Sequence, residues 1–138
     1  MKLIRKATSE TVPLEDGFLW SDEFDWKPIE QKQERAINGA LIIQEGKKLT
    51  GRPITLVSPV QGMGWIKRSS LQKILEWSSI KEQFTLRFEW PHDQRVFNVI
   101  WNHKDGALES SSVKGTPATS LDTYFNVTMR FIEVSDGD

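Results

Sequence analysis

The sequence predicts a mainly β protein, a β-rich α+β fold in which a small curled sheet or split β-barrel carries one short flanking helix at about residues 69–78. Three observations predict it. Apolar and polar residues alternate with period two through Phe84–Trp90, Phe97–Trp101 and Tyr124–Val134, the pattern of half-buried strands. A single stretch, SSLQKILEWSS, changes to a helical period. The runs are separated by clusters of Gly, Pro, Ser and Asp, which are turn formers.

Length and composition bound the rest. A chain of 138 residues, 38% hydrophobic and 27% charged, fits one globular domain with a modest core and has no bias toward disorder. Eighteen basic against nineteen acidic residues leave a formal charge of -1, which does not favour a sequence-specific nucleic-acid surface. With no cysteine, disulfides, thiolate zinc sites and cysteine nucleophiles are excluded together. The start, MKLIRKATSE, turns polar after four residues, and no later apolar run approaches bilayer length. The expectation is synthesis and folding in a cytosol, with no membrane partner.

The elements follow in order. Residues 1–30 read as an extended arm or loop region, punctuated by Pro13 and Pro28, with five acidic and no basic residues from Glu15 to Asp25. Residues 31–138 then form a single β-rich domain. From Arg35 to Glu45 the chain alternates, with Ile37, Leu41 and Ile43 on one face, which predicts a half-buried strand. A second strand is expected to begin near Pro53, because proline cannot donate to a ladder and suits a strand start. Pro59, Gly62 and Gly64 predict a turn. Ser69, with Gln72 three residues on, then offers a capping box to a helix of about nine residues whose stripe is Leu71, Ile74 and Leu75. Such a helix is too short to persist alone and must lie on a sheet. Phe84–Trp90 and Phe97–Trp101, joined by PHDQ, predict a hairpin. Gly106–Asp122, rich in Ser, Thr, Gly and Pro, reads as a mobile loop, and Tyr124–Val134 as a long closing strand with Phe125, Val127, Met129 and Phe131 on one face.

Chemistry is sparsely signalled. His92 falls in the PHDQ turn, where polar residues serve solubility. His103 stands near Asp105, but no GxSxG elbow or other activated nucleophile accompanies them. Two histidines eleven positions apart match no zinc spacing, the acidic run lacks the order of a calcium loop, and the GMG at Gly62–Gly64 lacks the rest of a phosphate cradle. The reading is therefore non-enzymatic, with no catalytic residue, cofactor or metal. Six tryptophans remain to be explained. Trp90 and Trp101 fall on the buried face of the hairpin and suit a core. Trp20, Phe24 and Trp26 lie among Asp22, Glu23 and Asp25, and these six are the candidate subunit interface, because aromatics concentrate where subunits meet.

From residue 35 to 134 the order of elements resembles short bacteriophage tail proteins of the distal-tail or baseplate-hub type. The residues carrying the likeness are GRPITL, the WIKR of Trp65–Arg68, the SSLQKIL helix, VFNVIWNHKDGALES and the closing TYFNVTMRFIEV. Order and spacing carry it, not any one piece. The resemblance implies a structural virion component that assembles as a homo-oligomeric ring around the DNA channel, beside tail-tube, hub and tape-measure proteins. It also implies a place at the tail tip, reached from the host cytoplasm. Where the family shows an acidic-Gly-Arg hairpin turn, PHDQR stands here and implies a longer turn. Residues 1–29 have no counterpart in the family. On the ring reading, the acidic run Glu15–Asp25 either lines the lumen and repels DNA or clasps a basic surface of the next ring. The alternatives are a tail-completion or terminator protein at the head-proximal end, and a soluble adaptor domain unrelated to phage.

Overall fold

In a computed structural model, residues 1–14, 17–58, 64–113 and 123–135 are described. They are mainly β, with one α-helix. The strands are β1 (Lys2–Arg5), β2 (Thr11–Pro13), β3 (Leu19–Trp20), β4 (Ile29–Arg35), β5 (Leu41–Lys47), β6 (Pro53–Val57), β7 (Trp65–Lys67), β8 (Phe84–Arg87), β9 (Val96–Trp101), β10 (Leu108–Ser112) and β11 (Tyr124–Glu133); helix α1 is Arg68–Ser78. Nine of the strands form one antiparallel sheet in the order β2-β1-β8-β9-β11-β6-β3, with β7 and β10 also paired to β11. β4 and β5 form a separate two-stranded sheet.

β11 organises the main sheet because it is long enough to carry four partners. On one edge it pairs β7 at Tyr124–Asn126 and β6 at Thr128–Ile132; on the other it pairs β10 at Phe125–Met129 and β9 at Phe131–Glu133. Each flank is thus a broken strand. The β9–β10 break is filled by the 3₁₀ turn His103–Asp105, and the backbone hydrogen bonds Asn102 N–H to Arg130 O and Arg130 N–H to Ala107 O hold the chain to β11 across it. At the other break, the Ser58 hydroxyl donates to Gly64 O at 2.7 Å and accepts from Val127 N–H at 3.1 Å. Gly64 has φ +68°, and a Cβ there would lie 3.2 Å from Ser58 Cα, so this seam requires glycine.

Period two then builds the core. Ile54 and Leu56, Phe84 and Leu86, Phe97, Val99 and Trp101, and Val127, Met129 and Phe131 all point inward and are buried. The sheet curls until Trp20, on the far edge strand β3, stacks on Phe88 just beyond β8 at 5.4 Å and meets Phe97 of β9 edge-on at 5.5 Å. Helix α1 covers the other end, where Trp77 stacks on Phe84 and Ile74 is fully buried.

Several expectations are corrected by these placements. Residues 1–14 and 17–20 are not an arm: β1 pairs with β8 and with β2, β3 pairs with β6, and Leu3, Val12, Leu14, Phe18 and Trp20 are core. β2 and β3, of three and two residues, are too short to display a period, β1 buries Leu3 alone, and Pro13 ends an edge strand, where its missing N–H costs nothing. The element standing apart is instead β4–β5. The expected half-buried strand over 35–45 is broken by a turn at Ile37–Gly39, and both strands of the hairpin are exposed throughout.

Helix α1 starts at Arg68 with Lys67 as N-cap and no side-chain cap; Arg68 N–H donates to Thr123 O, so the backbone just before β11, not the Ser69 side chain, satisfies an N–H of the first turn. Its buried residues are Ile74, Trp77 and Ser78, with Leu71 packed at the margin, whereas Leu75 is exposed. The turn after β8 is short: Trp90 and Asp93 exchange both backbone hydrogen bonds around Pro91–His92 alone. Part of the predicted mobile loop is β10, whose LESSS composition is polar because it has one sheet neighbour only. The remainder of that loop, 114–122, and positions 59–63 of the predicted turn lie outside the described residues.

Candidate functional site

The six residues singled out as an interface do not act together. Trp20 is 4% exposed and belongs to the core. The guanidinium of Arg52 lies over its ring at 4.6 Å and that of Arg95 at 5.0 Å, so the indole sits between aromatic neighbours and two cations. Asp22 and Glu23 face their own domain. Asp22 accepts from Thr55 N–H at 2.9 Å and from the Thr55 hydroxyl at 2.8 Å, which pins the chain after β3 onto β6. Glu23 pairs with Arg95, and its carbonyl accepts from Arg52 Nη2 at 2.8 Å. Trp26 is half-buried under the Lys48 ammonium, 4.8 Å from the ring centroid. Of the six, only Phe24, 92% exposed, and Asp25 present open side chains.

Arg95 is the electrostatic centre of this end. It holds Asp93 at 2.8 Å as well as Glu23, and the cation beside it keeps the Asp93 carboxyl below the ordinary aspartate range. Two carboxylate partners raise the Arg95 guanidinium above its already high value. At the opposite end, Arg5 grips Glu82 through two bonds of 2.7 and 3.0 Å, which lowers the Glu82 carboxyl; Lys73 pairs with Glu10 and lowers it likewise. These pairs fasten β1, the chain before β2, α1 and the segment after α1 to one another. Acidic residues read as a surface field along the sequence are therefore in good part internal clasps.

The histidines are separated. His92 is exposed and stacks on Trp90 at 5.5 Å. His103 opens the 3₁₀ turn, and the neighbouring Asp105 carboxylate accepts from Asn102 Nδ2 at 2.8 Å. Among the described residues, no group of three or more His, Asp or Glu side chains gathers as metal ligands would. Nor is any helix among them long and apolar enough to cross a membrane.

Two surface features stand out. One is a groove of about 560 Å³ between the chain leaving α1 and the ends of β9 and β11, lined by the apolar Ile80, Ile100, Trp101 and Val134 together with polar residues that include Lys81, Glu82 and His103. The Trp101 indole N–H finds no acceptor among the described residues. The other is the β4–β5 hairpin. One of its faces carries Ile29, Leu41 and Ile43, the other Ile42, and its tip carries Ile37 with the side chain fully in solvent. Residues 35–45 alternate, but only neighbouring strands decide whether an alternating segment is buried. That signal is not local.

No protein-family model matches the chain, and neither curated proteins nor solved structures give a match. The functional reading accordingly rests on the residues and their geometry.

Proposed function

We propose that the protein is a structural component of a bacteriophage tail tip or baseplate, distal-tail-like, that assembles as a ring around the DNA channel. The observation that carries the reading is the exposed β4–β5 hairpin. An isolated two-stranded sheet is marginal in water, and this one spends five large apolar side chains, Ile29, Ile37, Leu41, Ile42 and Ile43, on solvent. A building block has a use for such an element, because its neighbours cover in the assembly what the monomer leaves open. The ordered likeness from GRPITL to TYFNVTMRFIEV supplies the tail context, and the rigid curled sheet suits a part whose task is mechanical. The chain does its work through shape, with no catalytic residue, cofactor or metal, and its partners are further copies of itself and the adjoining tail proteins.

Labelled electron microscopy of the phage particles that carry the gene tests this. Label at the distal end of the tail is the expected result. Label at the head-proximal end transfers the protein to the tail-completion class, and purified particles without the protein overturn a virion role altogether.

A further inference from the structure

We infer that Asn38 is a site of spontaneous covalent modification: in the folded chain the Gly39 backbone nitrogen attacks its side-chain amide, and the cyclic imide so formed opens in water to aspartate or isoaspartate. The inference stands on the hairpin tip alone and does not depend on the tail assignment.

The chain holds four asparagines, and their next neighbours divide them. Asn98 and Asn126 precede valines and lie in β9 and β11, where Asn98 pairs with Thr85, and Asn126 with Ser111 and Trp65. Asn102 precedes His103 and is buried. A branched or bulky residue after asparagine shields the nitrogen that must attack, and a sheet ladder fixes the peptide out of reach. Asn38 alone precedes glycine, and both residues are exposed. A Cβ on Gly39 would meet nothing within 4 Å, so the space beside this peptide is open.

The turn also brings the reacting groups together. Ala36 N–H donates to Ala40 O and Gly39 N–H to Ala36 O, while Gly39 takes φ +85°, which makes a three-residue loop closed by glycine in the left-handed region. Asn38 Oδ1 accepts from Ala40 N–H at 3.0 Å. A side chain bonded to the N–H two residues on curls over the intervening peptide, that of Gly39, and the bond polarises the carbonyl to be attacked. Attack within such a pair has the advantage of an intramolecular reaction. The restraint is the Gly39 N–H bond to Ala36 O at 2.9 Å, which must open first. It lies at the tip of a hairpin that holds no core residue, so the opening is local.

The bonds balance without oxidant or cofactor. Hydroxide removes the Gly39 N–H proton, the nitrogen bonds to Asn38 Cγ as the Cγ–Nδ2 bond breaks, and the amide nitrogen leaves as ammonia. Water then opens the imide. Cleavage at Cγ gives aspartate; cleavage at the main-chain carbonyl gives isoaspartate, whose backbone runs through the side chain and is longer by a methylene. Either product puts a new carboxylate on the tip, and the second also breaks the register of the turn.

Incubation of the full chain at neutral to mildly alkaline pH, followed by peptide mass spectrometry, tests the site. The fragment holding Asn38 should gain the mass difference between acid and amide and separate into aspartyl and isoaspartyl forms. Fragments holding Asn98, Asn102 and Asn126 should stay unchanged. Conversion should quicken as pH rises, and the native half-time should lie within about a hundredfold of that in urea, since only the tip must open. Asn38→Gln keeps an amide but lengthens the ring that must close; it should abolish the gain and leave near-ultraviolet circular dichroism unchanged. An Asn38 amide that outlasts the urea-unfolded half-time by more than that factor overturns the inference. So does an equal gain at the other asparagines, or an undiminished gain in Asn38→Gln.

Discussion

At the residue scale, three neighbours in one acidic run have three different physical roles. Trp20 is enclosed by Phe88, Phe97 and two guanidinium groups, so truncating it leaves a large cavity and strips Arg52 and Arg95 of their ring. Trp20→Ala should cost about 3–5 kcal/mol in urea unfolding, whereas Phe24→Ser, at a fully solvated position, should change stability by less than about 0.5 kcal/mol. Equal losses from both would contradict the division into core and surface. Asp22 lies between these cases, because its two bonds to Thr55 hold the chain to β6. Reversal of its charge therefore acts on folding before it reaches any partner. The run's composition shows its charge and aromaticity, and it cannot show that Arg52 and Arg95 stand opposite, since those residues come from segments more than 25 positions away.

At the scale of elements, what was legible depended on length and period. β11, β8 and β9 were legible because each lies in a run that buries one face and alternates, and β6 because proline and β-branched residues mark its start. β2 and β3 were missed because strands of three and two residues have no period to display, β1 because it buries Leu3 alone, and β10 because a strand of serines reads as a loop. The hairpin β4–β5 was misread in burial, since alternation reports only that one face could be covered. The clasps between elements were invisible, being set by tertiary geometry, yet they have a measurable consequence. The Asp93, Glu82 and Glu10 carboxyls are all lowered in the folded chain, by Arg95, Arg5 and Lys73 in turn. A lowered folded value means that the stabilisation is complete above the unfolded carboxylate range, about pH 4, and is lost as pH falls through the folded values. The melting temperature should therefore be flat from pH 7 to 5 and fall below pH 4. Arg95→Gln should melt lower at pH 7 and lose less than the wild type between pH 5 and 3. A parallel acid decline in both proteins would rule out Arg95 as the cause.

At the scale of the whole molecule, stability and exposure are divided between two bodies of structure. The nine-stranded sheet, α1 and a few residues that flank them, such as Leu14, Phe18 and Phe88, hold the hydrophobic core, while β4–β5 contributes none of it. Opening the hairpin uncovers no core and should cost little, whereas opening β11 severs its bonds to β6, β7, β9 and β10 at once. Native-state hydrogen exchange reads this difference directly. In dilute protein, amides of β11 and β6 should exchange only through global unfolding. Those of β4 and β5 should exchange through local opening, at least a hundredfold faster. At concentrations where the chain assembles, the β4–β5 amides should slow markedly and those of β11 should not change, because a neighbour that covers the exposed hairpin couples its opening to dissociation. Hairpin amides as protected as β11 in dilute monomer would mean that the hairpin is stable by itself. Its exposed isoleucines would then need no partner to explain its order.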